Sequence, residues 1–163
     1  MQQWTNGIYL DSLKSKQDPQ QTIFEACRNG KMELLMWCLD NGYSVKEKDG
    51  NGFSCLFVAC SHGQLDIVKY LLNNGSSLDE KTDMEMTALL LACEKGHLKV
   101  VKYLVRKGCS MDDIGFSRTC LLFAAENGHL KVVKYLLKKG SSIHERNHLM
   151  TSLCILYKVE IWN

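Results

Sequence analysis

Apolar residues recur along this chain in stretches of fixed length, each bounded by two glycines. The four stretches read GKMELLMWCLDNG, GQLDIVKYLLNNG, GHLKVVKYLVRKG and GHLKVVKYLLKKG, with eleven residues between the glycines in every case. Their first glycines lie at positions 30, 63, 96 and 128, so the spacing is 33, 33 and then 32 residues. Such a period indicates a solenoid, in which each unit is stable only when stacked on its neighbours.

Each unit contains two short segments that predict two helices and a polar connector. After the first glycine, Leu65, Val68 and Leu71 fall on one helical face, and Gly75 predicts the left-handed end of that helix. Ahead of the first glycine lie the runs TIFEAC at 22–27, SCLFVAC at 54–60, TALLLAC at 87–93 and TCLLFAA at 119–125.

The starts of the first helices carry capping signals. The hydroxyl residues Ser54, Thr87 and Thr119 each stand where a side-chain oxygen can accept a hydrogen bond from the first turn. In the first unit the signal is Asp18 followed by Pro19, a residue favoured at the first helical position.

These motifs resemble the ankyrin repeat over roughly residues 20 to 163. The resemblance rests on the period and on T-x-L-x-x-A followed by G-H-L-x-V-V-x-Y-L-L-x-x-G. The family's T-P-L-H start is altered, because its proline and histidine are absent from Ser54-Cys55-Leu56-Phe57 and from the equivalent segments at 87–90 and 119–122. The inter-repeat hydrogen bonds of that histidine are therefore expected to be missing. The resemblance implies an all-α solenoid of stacked helix-turn-helix units with projecting connector turns.

The predicted organisation is an N-terminal leader or cap at 1–19 and a repeat domain at 20–163. The repeats fall at about 17–48, 49–81, 82–113 and 114–145, with a partial fifth at 146–163. Two interpretations of the partial unit stay open: a terminal cap, or part of a longer protein.

The overall composition excludes only a few classes of function. The chain has 163 residues, of which 45% are hydrophobic and 23% charged, and a net charge of +2. This balance gives no reason to expect a nucleic-acid partner, which usually requires a strong basic excess. No apolar run is long enough to predict a membrane span, and no secretory signal is recognised, so we expect a cytoplasmic or nuclear location.

The eight cysteines are interpreted as reduced core thiols. Cys27, Cys60 and Cys93 occupy one repeat position, where the fourth unit has Ala125. Alternation with alanine indicates a small buried side chain, and no metal-type spacing of cysteines occurs. A reducing compartment is expected for the same reason.

One catalytic motif is present in literal form. His144, Glu145 and His148 make an H-E-x-x-H sequence, which binds zinc in metallopeptidases when the five residues are helical. Here the segment falls in the register of a connector, so a solvated turn is the preferred interpretation and zinc peptidase activity a remote alternative. No phosphate-binding glycine loop or converging Ser/His/Asp set is found. We therefore expect no enzyme, no cofactor and no small-molecule substrate.

Charge and apolar residues distinguish two faces of the predicted solenoid. The second helices of the last two units carry only basic charged residues, whereas the connectors carry Asp79, Glu80, Asp112 and Asp113. By the family resemblance, the connectors and the ends of the first helices form the concave binding face. The candidate partner-binding residues are Phe53, Asp83, Met84, Glu85, Met86, Glu94, Lys95, Phe116, Arg118, Glu126 and Asn127.

The preferred function is a non-enzymatic protein-protein interaction module or scaffold. Its expected partner is a protein segment in which basic residues flank an apolar anchor. The alternative is a regulatory or targeting fragment of a larger multidomain protein. The basic helices are interpreted mainly as solvated surfaces, with a patch for nucleic acid or an acidic membrane surface as the other interpretation.

Overall fold

The computed structural model describes residues 19–141, which contain eight helices and no β-strand longer than an isolated bridge. The helices form four consecutive pairs, which confirms the predicted all-α repeat architecture. Their bounds are α1 Pro19–Asn29, α2 Met32–Asp40, α3 Cys55–Ser61, α4 Leu65–Asn73, α5 Ala88–Glu94, α6 Leu98–Arg106, α7 Cys120–Glu126 and α8 Leu130–Lys138. Each helix in this part of the chain is too short or too polar to span a membrane.

The first helices of the pairs form the centre of the stack. Helices α1, α3, α5 and α7 pack against one another in chain order, and each also packs against the second helix of its own pair. Every residue from Cys55 to Cys60 and from Ala88 to Cys93 is buried, because these short helices are covered on all sides. The second helices bury one face only; in α6 this face consists of Val100, Val101 and Leu104. The amphipathic pattern of the second helices therefore predicted their orientation correctly.

The cysteines belong to this core. The seven in the described part of the chain are free, and all but the half-buried Cys109 are buried. Burial raises the pKa of Cys109 to about 11 and places the pKa of Cys60 further above its usual range. These thiols are therefore protonated and poorly nucleophilic near neutral pH. The predicted burial is confirmed for the six buried thiols.

The capping prediction is confirmed at one hydroxyl only. The Thr87 hydroxyl accepts a hydrogen bond from the Leu90 amide at 3.3 Å. The Ser54 hydroxyl instead donates to the Glu80 carboxylate of the next connector at 2.8 Å, and Thr119 makes no capping bond. Pro19 is the first residue of α1, as expected for a first-turn proline.

Side chains that precede the second helices connect successive repeats. Nε2 of His97 donates to the carbonyl of Ser61 at 2.9 Å, and Nε2 of His129 donates to the carbonyl of Glu94 at 2.8 Å. Gln64 makes the equivalent bond to Arg28 at 2.9 Å. Inter-repeat hydrogen bonds are thus supplied from this position, although the histidine of the usual T-P-L-H start is absent.

Candidate binding surface

The first two connectors between helix pairs end in three-residue hairpin loops. In the first, the Asp49 amide donates to the Phe53 carbonyl at 2.9 Å, and the Gly52 amide donates to the Asp49 carbonyl at 2.9 Å. The second repeats this arrangement between Thr82 and Met86, at 3.0 Å. A left-handed residue closes such a loop. This residue is Gly52, with φ 79°, in the first connector and Glu85, with φ 59°, in the second.

The third connector is one residue shorter. Gly115 and Arg118 exchange two backbone hydrogen bonds, at 3.0 and 2.9 Å, around the two-residue loop Phe116-Ser117. The loss of one loop residue accounts for the last repeat spacing of 32 rather than 33 residues. The deletion therefore changes the hairpin loop and leaves the length of the helices unaltered.

The shorter loop places a bulky residue in an unfavourable backbone conformation. Phe116 has φ 51° and Ser117 has φ 60°, so both are left-handed. A two-residue hairpin with two left-handed residues is normally built from Asn-Gly, and a left-handed conformation costs other residues about 1 to 2 kcal/mol each. The hairpin is closed by this turn although neither of its residues favours it.

The hairpin loops of neighbouring connectors lie in contact. Gly115 is buried against the second connector: a Cβ atom added to it would lie 2.6 Å from Sδ of Met86 and 3.3 Å from the carbonyl oxygen of Glu85. A Cβ built at Gly52 would similarly lie 4.0 Å from the carboxylate of Asp83. The three hairpin loops, 50–52, 83–85 and 116–117, therefore form a continuous row, which we call the connector row.

Large apolar side chains are exposed on this row and beside it. The exposed fractions are 49% for Met84, 49% for Phe116 and 56% for Ile114. Phe116 and Met84 are therefore as accessible as the sequence suggested. Ile114 was not selected from the sequence, although an aliphatic residue between Asp113 and Gly115 in a polar connector could have revealed it.

Two other apolar candidates are less accessible. Selecting Met86 as a partner contact was wrong, because this residue is 2% exposed and its side chain is covered by the backbone at Gly115. Phe53 is half-buried and packs edge to face on Phe57, with ring centroids 6.2 Å apart. Both residues help to hold the connectors against the helices, because stacked repeats bury contacts between neighbouring units.

The charged and polar candidates near the ends of the first helices are already paired within the chain. Arg118 donates through Nε to Glu126 at 2.7 Å and through a terminal nitrogen to the Phe116 carbonyl at 3.3 Å. Lys95 pairs with the neighbouring Glu94 at 2.9 Å. The Asn127 amide donates to the Phe123 carbonyl at 2.9 Å and so caps α7. Arg118 thus holds the hairpin loop of the third connector against the end of α7.

Negative charge accompanies the apolar side chains of the connector row. Asp83, Glu85 and Asp112 are exposed, and Asp113 is half-buried. Glu85 pairs with Lys81 at 3.0 Å, and this hydrogen bond raises the pKa of Lys81. An exposed ion pair of this kind contributes little to stability, so a partner can displace it at small cost.

No group of three or more potential ligand side chains that could hold a metal ion occurs in residues 19–141. The H-E-x-x-H sequence of His144, Glu145 and His148 lies outside the described residues, as do the predicted leader and the partial fifth unit.

The sequence comparison places the chain in a family. The family model described as "Ankyrin repeats (3 copies)" matches residues 7–82, 23–114 and 76–147. The chain therefore belongs to the ankyrin-repeat family, whose repeats are generic protein-protein interaction modules and typically not enzymes. In a comparison with curated proteins, no protein matched the chain.

Proposed function

We propose that this protein is a non-enzymatic binding module that holds a protein segment along the connector row. The observation that carries the proposal is the joint exposure of Met84, Ile114 and Phe116 on connectors that are otherwise polar. Exposed apolar side chains near one another, rimmed by charge, are typical of protein interaction sites. Aromatic residues and methionine are also enriched at the centre of such interfaces.

The charges of the row favour a particular partner. Asp83, Glu85 and Asp112 are exposed close to these apolar side chains along the sequence, so a complementary segment carries lysine or arginine on either side of an apolar residue. In such a complex the apolar contact mainly determines the dissociation rate, whereas charge at the rim mainly determines the association rate and its dependence on salt.

The backbone of the third connector supports the same proposal. Phe116 is half-exposed at a left-handed position, where asparagine or glycine would be more stable. Backbone strain that persists at an exposed position is often connected with binding, because the side chain is needed there for another purpose. Arg118 and the packing of Gly115 hold the loop in place, so little conformational entropy is lost when a partner binds.

A peptide selection tests the proposal. Random peptides displayed on phage are selected on the full chain, and the dissociation constant of the best synthetic peptide is then measured by calorimetry. We expect basic residues flanking an aromatic or aliphatic one. Changing Met84 or Phe116 to alanine should weaken binding by about 1 to 2 kcal/mol each, because each truncation removes an exposed apolar contact.

Met36→Ala is the matched control, since Met36 is 44% exposed but lies on α2, away from the connectors. Its dissociation constant should equal that of the unaltered protein. Selected peptides whose affinity is the same for the Met84→Ala, Phe116→Ala and Met36→Ala variants would contradict the proposal.

A further inference from the structure

The outward faces of the second helices change their charge abruptly along the stack. In α6, Lys99, Lys102 and Arg106 are spaced i, i+3 and i+7, which places them on one face of the helix. At about 100° per residue this face points away from the side buried by Val100, Val101 and Leu104. The same three positions exist in every second helix, so their charges can be compared directly between repeats.

The charge at these positions changes between the second and third repeats. In α2 these positions hold Glu33, Met36 and Asp40, and in α4 they hold Asp66, Lys69 and Asn73. The two charges of α4 neutralise each other in an ion pair of 3.0 Å. In α6 and α8 all six positions are basic, and neither helix contains an acidic residue.

The residue that follows each second helix changes in the same way. Asn41 and Asn74 follow α2 and α4, whereas Lys107 and Lys139 follow α6 and α8. Solubility alone does not explain a change confined to one half of the stack, because the first two repeats remain exposed to solvent without it. Eight basic residues thus accumulate on two adjacent helices and the residues that directly follow them, in a chain whose net charge is only +2.

The two basic stripes join into one surface. Helices α6 and α8 pack side by side. Nζ of Lys102 on α6 lies 5.7 Å from the ring centroid of Tyr135 on α8. Nζ of Lys107 lies over the ring of Tyr103 at the same distance, 5.7 Å. The first of these cation-π contacts joins the two helices, and the second holds a basic group at the C-terminal end of α6. We call the surface formed by the eight basic residues of α6, α8 and their C-caps the basic back.

We propose that the basic back docks the protein on the anionic phospholipid headgroups of a membrane surface. Clusters of four to eight lysine and arginine residues on one helical face are typical of binding to such lipids. Seven of the eight residues are lysines, which act as point charges on flexible stems and suit a diffuse layer of phosphates. Two helices side by side also form a broad face, which a planar surface can contact at both stripes at once.

Single-stranded nucleic acid fits this surface less well. Proteins that bind single strands stack bases on exposed aromatic rings, but Tyr103 and Tyr135 are half-buried and have lysine ammonium groups over their faces. Duplex readers commonly use arginine forks or insert an element into a groove, whereas the basic back contains a single arginine. The proposal does not depend on the connector row, because no residue of the basic back belongs to that row.

Vesicle sedimentation tests the proposal. The full chain is mixed at about 0.1 M salt with vesicles of phosphatidylcholine containing phosphatidylserine, and in parallel with vesicles of phosphatidylcholine alone. We expect binding to the anionic vesicles only, and loss of that binding when the salt is raised, since charge interactions are screened. The variant Lys99→Gln/Lys131→Gln/Lys138→Gln should partition to the anionic vesicles about a hundred-fold less.

The matched control removes the same number of charges elsewhere. Lys46, Lys48 and Lys81 are exposed and lie in connectors, and their triple change to glutamine should leave vesicle binding within about two-fold, while circular dichroism confirms that both variants are folded. The proposal is overturned if the unaltered chain does not bind anionic vesicles, or if the two triple variants bind equally. It is also overturned if a fluorescent DNA duplex or single strand binds the basic back more tightly than the anionic vesicles do.

Discussion

At the scale of single residues, Phe116 combines two properties that stability alone does not explain. Its backbone is left-handed, and about half of its side chain is exposed. Among non-glycine residues, asparagine tolerates this conformation best, because its side chain can form local hydrogen bonds. A substitution at Phe116 can therefore separate the contribution to folding from the contribution to binding.

We expect Phe116→Asn to make the protein more stable and a weaker binder. Removing the backbone strain of a left-handed phenylalanine should raise the free energy of unfolding by about 0.5 to 1 kcal/mol, as measured by urea denaturation. Loss of the ring should weaken binding of the selected peptide by about 1 to 2 kcal/mol. A less stable variant that binds with unchanged affinity would show that Phe116 has a structural role.

At the scale of elements, helix pairs are joined by more than apolar contacts. The side chain before each of the last three second helices donates to a carbonyl at the end of the first helix of the preceding pair: Gln64 to Arg28, His97 to Ser61 and His129 to Glu94. Gly63 leaves room for this arrangement, since a Cβ atom there would lie 2.5 Å from the His97 ring. The repeated glycine is thus needed for its φ of 71° and for the approach of the next repeat.

We expect His97→Ala to lower the free energy of unfolding by about 1 to 2 kcal/mol, because it leaves the carbonyl of Ser61 without its inter-repeat donor. The matched control is His62→Ala: His62 is exposed, and its ring forms only local hydrogen bonds, to the Val58 carbonyl and the Ser61 hydroxyl, each at 2.9 Å. Thermal or urea denaturation of the two variants measures the difference. Equal losses would show that the inter-repeat bond adds nothing beyond a local helix cap.

Much of the helical framework could be predicted from the sequence, because period and amphipathic pattern follow directly from helix geometry. The glycine spacing located all four second helices, and the alternation of Cys27, Cys60 and Cys93 with Ala125 correctly indicated small residues in or against the core. The capping prediction was less successful, since Ser54 donates to Glu80 in the next connector. A hydroxyl can satisfy several partners, and the sequence does not determine which of them is near.

The connector row could be predicted only in part, because burial of a connector side chain depends on its neighbour in the stack. Met84 and Met86 are only two residues apart and have the same side chain, yet one is 49% and the other 2% exposed. The difference arises from Gly115 in the following connector, which packs on Met86. The change from a three-residue to a two-residue loop was visible as a spacing of 32, but not its left-handed backbone.

At the scale of the whole molecule, the stack carries two surfaces of opposite charge. The connector row combines exposed carboxylates with apolar side chains, and α6 and α8 carry only basic charges. If both proposals hold, the protein brings a basic, apolar-anchored segment of a partner to an anionic membrane surface. The two surfaces share no residue, so each can be removed without altering the other.

Hydrogen-deuterium exchange of the full chain, alone and with the selected peptide, shows whether the connector row or the basic back holds the peptide. It reports which backbone amides become protected and requires no substitution. We expect slower exchange in the peptide complex at residues 82–86 and 114–118, with α6 and α8 unchanged. Protection confined to α6 and α8, with no change in the two connectors, would contradict the proposal that the connector row binds the partner.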